Sequence, residues 1–448
     1  MTFSRETLLR LAAPVPRYTS YPTANHFTND IEPNDYADWL AEIDESARLS
    51  IYLHIPFCHS LCWYCACSTK ATRKYPPIRR YVDTLLKELN TVADLLPSRL
   101  AVSHLHWGGG SPTLLAPEEV DRIAQALGSR FAIERDAEHA VEIDPRALGL
   151  EQIAAFSAAG MNRASLGVQD FDPGVQAAIG REQSYEMTRR AVDALRAAGV
   201  GAINIDLVYG LPRQTLKSLA ATVRKVVSLG PTRIAVFGYA HLPARVPNQR
   251  LIDASALPDV VARFEQAQMI AALLAENGYK AVGLDHYALP GDPLARQQVH
   301  RNFQGYTTDA ATALLGFGAS AIGKLPRGYV QNAASTHDYE RRIASHGLAT
   351  ARGCELTPDD HVRAFAIERL MCDFRLSTRA LTERFGATAL PTVFRIRDLV
   401  RRDTDGLLES TEDGVRVTDR GRPFVRTICA GLDRYFGSSM AARHSLSV

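Results

Sequence analysis

The sequence has no apolar run approaching the roughly 20 residues that a bilayer-spanning helix requires, which excludes such a helix. Charge of one sign is missing too. Lys plus Arg is 51 against Asp plus Glu 49, a net charge of +2, so nothing marks a general binder of nucleic acid or acidic membrane. The N-terminus, MTFSRETLLRLAAPVP, lacks an apolar core long enough for a secretory signal, and a cytoplasmic location is expected. Cysteine is scarce, at seven residues, and a reducing compartment argues against a disulfide framework. A structural zinc site would want two separated ligand pairs, such as a second C-x2-C or a distant His pair, and none stands in that form.

What is present is concentrated. Four cysteines, Cys58, Cys62, Cys65 and Cys67, fall in IYLHIPFCHSLCWYCAC with the spacing C-x3-C-x2-C-x-C. The β-branched and aromatic run Ile51–Ile55 reads as a strand that Pro56 stops, so the cysteines lie on a loop at a strand's C-terminal end. Iron–sulfur clusters are held by such thiolates. Cys354, Cys372 and Cys429 are scattered singly and read as small core residues.

From Ser50 onward, strand patterns alternate with helix patterns. The strands are Ile51–Ile55, Val102–Trp107, Ala140–Asp144, Arg163–Gln169, Ala202–Val208 and Arg233–Tyr239, with a further one at Lys280–His286. The helices are Ile78–Leu96, Pro117–Phe131, Leu150–Ala159, Tyr185–Ala198, Leu216–Leu229 and Leu257–Asn277. Such alternation implies βαβ units and a complete or partial β/α barrel. Polar residues gather where these strands end: HWGGGSPT with Gly108, Gly109 and Gly110, then Glu142 and Asp144, Gln169 and Asp170, Arg181, and Asp206. Several polar side chains at one end of successive strands converge on one cavity. The glycine triplet fits either a close backbone approach to a ligand or an ordinary tight turn.

PRYTSYPTANHF, Pro16 to Phe27, reads as an ordered loop within an N-terminal arm. HRNFQGYTT and LLGFGASAIG read as loop and cavity lining. From Thr357 the pattern changes to helices at Asp359–Asp373, Leu381–Phe385 and Val393–Arg402. A hairpin turning at Asp413–Gly414 and a last helix, Pro423–Tyr435, complete a winged-helix-like unit. Arg401, Arg402, Arg416 and Arg420 are too few for a DNA-binding surface. The expected division is an arm over 1–49, a barrel over 50–350 and a mainly helical unit over 351–448.

The first three cysteines, with Tyr64 before the third, match the spacing of the radical S-adenosylmethionine (SAM) superfamily. PRYTSYPTA, LHWGGGSPT, GVQDF, NIDLVYGLP, VFGYAHLP, HRNFQGYTT, VTDRGRPFVRTIC and the extra Cys67 together resemble the oxygen-independent coproporphyrinogen III oxidase family, from about Pro16 to Tyr435. The resemblance implies an α/β fold, a partial β/α barrel of the radical SAM type with an N-terminal arm and a smaller C-terminal helical domain. It implies a 4Fe–4S cluster on Cys58, Cys62 and Cys65, with Cys67 not a ligand, and two SAM molecules. Tyr52, Gly109, Glu142, Ala240 and Ile322 would line the first SAM; Tyr64, Gly110, Ser111, Gln169, Arg181 and Asp206 the second. Ser111 stands where the family usually has Thr and keeps the hydroxyl. Gln304 and the arm around Arg17 and Tyr18 would lie toward the porphyrinogen, and Cys67, Arg181 and Gln304 are the candidate catalytic residues.

The implied reaction is the oxidative decarboxylation of two propionates of coproporphyrinogen III to vinyl groups, giving protoporphyrinogen IX. The cluster would pass an electron to SAM, and the resulting 5′-deoxyadenosyl radical would take a β-hydrogen from the propionate. An electron donor and an acceptor are required, a monomer is expected, and neither nucleic acid nor membrane is an expected partner. The alternative on the same fold is a haem chaperone or another haem-handling radical SAM member; the chaperones typically lack the fourth cysteine and the PRYTSYP arm.

Overall fold

The computed structural model describes residues 3–437 and residue 446. Seven parallel strands form its centre: β1 (Arg48–Ile55), β2 (Ala101–Gly109), β3 (Ala132–Ile143), β4 (Arg163–Gln169), β5 (Ala202–Tyr209), β6 (Arg233–Gly238) and β7 (Ala313–Phe317). The sheet order is β7-β1-β2-β3-β4-β5-β6, flanked by antiparallel strands to make twelve in all. Beyond β6 lie His286–Ala288 and Lys280–Val282; beyond β7 lie Ile322–Leu325, Gly328–Asn332 and Thr350–Glu355. The parallel array is open rather than closed, a partial barrel.

Alternation along the strands sorts the chemistry. On β1, Leu49, Leu53 and Ile55 are fully buried and belong to the main apolar core, together with Ile78, Val82, Leu85 and Leu89 of helix Pro76–Leu95. Each such side chain contributes about 1.5–3 kcal/mol by leaving water. On β2 to β5 the residues His104, His106, Glu138, Glu142, Arg163, Ser165, Asn204 and Asp206 face the interior cavity instead. Period-2 side-chain placement thus puts polar groups inside the barrel and apolar ones under the helices. At the β3–β4–β6 side of the interior the charges are paired: Arg163 Nε lies 2.9 Å from Glu138 and Arg233 Nε 2.7 Å from Asp292.

The helices start where local chemistry favours them. Pro76 and Pro117 occupy first-turn positions, where a missing N–H costs nothing. Thr215 caps Leu216–Ser228, its hydroxyl accepting from the Ser218 N–H while the Ser218 hydroxyl accepts from the Thr215 N–H.

Three expectations are corrected. Lys280–His286 is not one parallel strand but two short antiparallel ones, because Gly283, at φ +55°, turns the chain between them. The seventh parallel strand is Ala313–Phe317, inside the glycine-rich stretch expected to be loop. Gly316 is required there, since a Cβ would stand 2.6 Å from the Ile322 carbonyl oxygen. The last helix does not run from Pro423 to Tyr435. A 3-10 turn at Arg422–Phe424 leads into helix Val425–Ala430, and turns follow Gly431. There the Asp433 carboxylate accepts from the Tyr435 N–H and, at 3.1 Å, from the Tyr18 hydroxyl.

The first fifty residues also contain two helices, Arg5–Leu11 and Pro33–Ala41, which serve different cores. Leu8 and Leu11 pack with Val362, Ile367 and Phe424 of the C-terminal region, whereas Trp39 and Leu40 join the barrel core. The C-terminal region holds Pro358–Asp373, Thr378–Phe385 and Leu390–Arg402 beside a three-stranded sheet, with Gly414–Val417 between Arg375–Ser377 and Leu408–Ser410.

Candidate active site

Pro56 ends β1, and the next two residues, Phe57 and Cys58, pair with Lys70–Ala71, which closes residues 59–69 into a loop over the C-terminal ends of the strands. The loop is fastened from elsewhere. The Trp63 N–H donates to the Ile179 carbonyl at 2.9 Å. Asn248 Nδ2 reaches the carbonyl oxygens of Cys62, Trp63 and Cys65 at 3.0, 3.2 and 2.8 Å. Gln249 Nε2 donates to the carbonyls of Tyr64 and Ala240 at 2.9 and 3.0 Å, which brings those two expected residues together. Sequence reasoning missed Asn248 and Gln249.

All seven cysteines are free. Among the described residues, no three His, Cys, Asp or Glu side chains gather as ligands of a single metal ion. A cubane spreads its irons, and each iron that the protein binds takes its own thiolate, which separate cysteines of this loop can supply. The sulfurs have partners that suit thiolates. Arg146 Nη2 and Arg181 Nη1 lie 3.3 and 3.4 Å from Cys62 Sγ. The Cys67 thiol and N–H both donate to Cys65, which lowers the Cys65 thiol and raises that of Cys67. Burial pushes Cys58 up to about 11. Cationic neighbours are what a cysteine needs in order to ligate as thiolate. Cys67 is exposed.

The arginines are held in turn. Asp144 accepts from Arg146 at 2.6 Å and from Arg181 at 3.4 Å, and Arg181 also reaches the Gly167 carbonyl at 2.6 Å. Burial alone would depress Arg181, but Tyr64, Asp144 and Cys62 more than offset it. Gln169 joins this group: a Cβ on Gly167 would lie 2.9 Å from Gln169 Nε2 and 3.1 Å from Arg181 Nη2. Gln169 has φ +68°, an uncommon backbone state for a residue with a side chain, at the end of β4.

A second group stands on β1 to β3. Tyr52 and His106 pair across β1 and β2 with ring centroids 5.7 Å apart. His106 Nε2 lies 3.1 Å from Glu142, whose other oxygen accepts from the Gly109 N–H, also at 3.1 Å. Burial pushes the Glu142 carboxyl up, but His106 and that N–H outweigh it and hold it below the usual value. The Tyr52 hydroxyl donates to His54 Nδ1 at 3.0 Å, which follows from His54 Nε2–H donating to the Ser68 carbonyl at 2.8 Å. Asp206 accepts from Ser165 and Asn204 at 3.1 and 2.8 Å; burial and the charge of Glu142 push it up to about 6. Glu142, Asp206 and Gln304 line one cavity of about 240 Å³. The hairpin His300–Asn302/Gly305–Thr307, which follows β6 and precedes β7 in the chain, contributes Gln304 to the wall of this cavity.

Other expected residues are engaged in local packing and hydrogen bonds. The Ser111 hydroxyl is buried 3.2 Å from that of Thr113. Asp170 turns away from the cavity to accept from Thr222 and Gln214, both at 2.6 Å. Gly110 packs tightly against Phe57, whose carbonyl oxygen would lie 2.4 Å from an added Cβ, and Gly109 likewise against His54 at 2.7 Å. The triplet is therefore needed for internal packing. Ile322 lies beyond β7, its carbonyl against Gly316, the residue paired with Tyr52.

The sequence profile of the radical SAM superfamily matches residues 52–226, and that of the HemN C-terminal domain matches residues 356–424. The oxygen-independent coproporphyrinogen III oxidase of Bradyrhizobium diazoefficiens is 47% identical over 94% of each chain. The anaerobic coproporphyrinogen III oxidase 1 of Cereibacter sphaeroides is 44% identical over 94% of each. The solved coproporphyrinogen III oxidase of Escherichia coli, described as a radical SAM enzyme, superposes with a TM-score of 0.91 at 38% identity, covering 97% of this chain and 99% of its own. With the cysteine loop, the partial barrel and the C-terminal region all matched, the chain belongs to the oxygen-independent coproporphyrinogen III oxidase family of radical SAM proteins.

Proposed function

We propose that the protein converts two propionates of coproporphyrinogen III to vinyl groups in anaerobic haem synthesis, using a 4Fe–4S cluster and SAM. The observation that carries this reading is the arrangement at the strand ends. A thiol loop with arginines on Cys62 opens beside an acidic cavity that holds Glu142, Asp206 and Gln304, in a chain similar along nearly its whole length to named oxidases. When bound, the reduced cluster and SAM supply the carbon radical that takes hydrogen from the substrate.

The chain's own residues bind and orient. Cys58, Cys62 and Cys65 hold the cluster, and Cys67 donates to Cys65 without taking an iron. Tyr52, Gly109, Glu142, Ala240 and Ile322 serve one SAM: Glu142, kept ionised by His106, suits an amine or a ribose hydroxyl. Tyr64, Gly110, Ser111, Gln169, Arg181 and Asp206 serve a second. Arg181 also gives a charged donor for a carboxylate beside the sulfurs. Gln304, on the hairpin that covers the cavity, orients the substrate and helps exclude water.

The reading extends to a monomer that draws on a separate electron donor and acceptor. A cytoplasmic location suits seven free thiols. The reading divides the chain into an arm over residues 1–49, a barrel over 50–350 and a C-terminal unit over 351–448. The test is anaerobic turnover of coproporphyrinogen III by the reconstituted protein with SAM and a cell extract as electron source. Protoporphyrin after oxidation supports the reading. A stable haem complex without turnover would favour a haem chaperone instead.

A further inference from the structure

A second cavity, of about 460 Å³, adjoins the first, and Phe237 at the end of β6 lines both. Its wall gathers guanidinium groups from four parts of the chain: Arg17 of the arm, Arg263 of helix Val260–Glu276, Arg301 of the cavity hairpin, and Arg426 of helix Val425–Ala430. Arg422, also on the wall, is paired with Asp419 at 3.1 Å. The other carboxylate lining it is Asp285, which lies 3.8 Å from Arg301 Nη2 and already accepts from His286 Nδ1 at 2.7 Å.

Arg301 and Arg17 are the informative pair. The Arg301 side chain is 5% exposed, yet its Nε and Nη1 are buried without a hydrogen-bond partner among the described residues. Its guanidinium lies over the Tyr306 ring, 4.3 Å from the centroid, and Nη2 donates to the Arg17 carbonyl at 3.3 Å. Arg17 reaches into the cavity, wetted by it although protein surrounds the group, and its Nη2 donates to the Gly238 carbonyl at 3.0 Å. No carboxylate among the described residues stands within ion-pair distance of Arg17. Carbonyl oxygens satisfy donors but do not neutralise charge. Burial and the charge of Arg17 push Arg426 down to about 9, and the same two causes depress Arg263.

A buried cation with unfilled donors is costly unless an anion completes it, and two guanidinium forks match the geometry of a carboxylate. We propose that Arg17 and Arg301 form a carboxylate-binding subsite. It takes a propionate of the tetrapyrrole other than the one presented in the first cavity. This rests on the tetrapyrrole reading of the proposed function. The hairpin couples the two cavities, because Arg301 lines the second while Asn302 and Gln304, one and three residues on, line the first. A propionate held at Arg301 therefore fixes where the macrocycle lies against Gln304. Phe237, Phe264, Tyr209 and Leu284 supply apolar surface for the ring edge.

The test is equilibrium binding of coproporphyrin III, the oxidised and stable form with free propionates, to the full-length protein by fluorescence, with its tetramethyl ester in mild detergent as the uncharged comparison. Arg17→Gln and Arg301→Gln are expected to weaken binding of the acid by about ten- to a hundredfold and that of the ester by less than about twofold. Arg301→Lys should restore part of the loss, since it keeps the charge but not the fork. Arg17 is wetted, so its variant reports on the subsite even where loss of Arg301 disturbs folding. Unchanged binding of the acid in both Gln variants, or equal losses for acid and ester, would overturn the subsite while leaving the tetrapyrrole reading intact. Failure of the unaltered protein to bind coproporphyrin at all would overturn both.

Discussion

Asn248 Nδ2 lies 2.8 Å from the carbonyl oxygen of Cys65, a residue 183 positions earlier in the chain. The same amide group reaches the carbonyls of Cys62 and Trp63, so one side chain fixes the backbone between two of the loop cysteines proposed to hold the cluster. Asn248→Ala leaves those carbonyls without their donor, at a cost of about 1–3 kcal/mol. The expected outcome is a looser loop that gives up iron to a chelator faster than the unaltered protein. Iron and sulfide content followed over time checks it, and unchanged retention would show that the clamp is dispensable.

The proposed function divides the four cysteines of the loop into three and one. Replacing Cys58, Cys62 or Cys65 with Ser should abolish the cluster's absorption. Cys67→Ser should keep it, because Cys67 only donates to the Cys65 sulfur and is itself exposed. Iron analysis of the four variants decides the matter; loss of iron in Cys67→Ser would make it a ligand.

Gly109 combines φ +106° with a Cβ position 2.7 Å from the His54 ring. Gly109→Ala meets both obstacles, with a backbone cost of about 1–3 kcal/mol. Moving His54 would also release the Tyr52 hydroxyl and the Ser68 carbonyl. A lower thermal midpoint together with weaker SAM binding is expected; a variant unchanged in both would remove the glycine from the account.

Glu88 is buried 1% exposed beneath the sheet edge, accepting from the Gly318 N–H, the Tyr339 hydroxyl and the Asn332 amide. Burial raises its carboxyl from 4.5 to about 7 against those three donors. The folded state thus binds the proton more tightly than the unfolded one. The stabilisation is complete below pH 4.5 and is lost as pH rises to about 7, an effect of about 3 kcal/mol. In Glu88→Gln that loss is absent, so denaturant midpoints of the two proteins should diverge in slope between pH 4.5 and 7. Parallel curves would contradict the assignment.

The sequence exposes period and punctuation, and the elements that depend on these were legible. The first six parallel strands and the long helices between them follow from alternation, prolines and caps, whereas the short helix Pro173–Ala178 does not. Tertiary replacement of local cues hid the rest. Ala313–Phe317 looks like loop because Gly316 and Gly318 break the β pattern, yet close contact with the Ile322 backbone is what requires Gly316. Helix Arg5–Leu11 is too short to announce itself, and its two buried leucines find their partners in the C-terminal region.

The site shows the same split. The cysteines, Glu142, Gln169, Arg181 and Asp206 stand out as polar residues at strand ends. His54 could have been found from its i, i+2 relation to Tyr52 on one strand face. Asn248 and Gln249 carry no local signal, since their function is to hydrogen-bond carbonyls nearly two hundred residues away.

The most direct measurement of the central claim counts carbon dioxide and 5′-deoxyadenosine from the same anaerobic reaction, with coproporphyrinogen III labelled in its propionate carboxyls. The account predicts that both appear together and in step with vinyl formation, and that both vanish in Cys62→Ser. SAM cleavage without release of labelled carbon dioxide would contradict it, because the substrate would then not be a propionate of this tetrapyrrole.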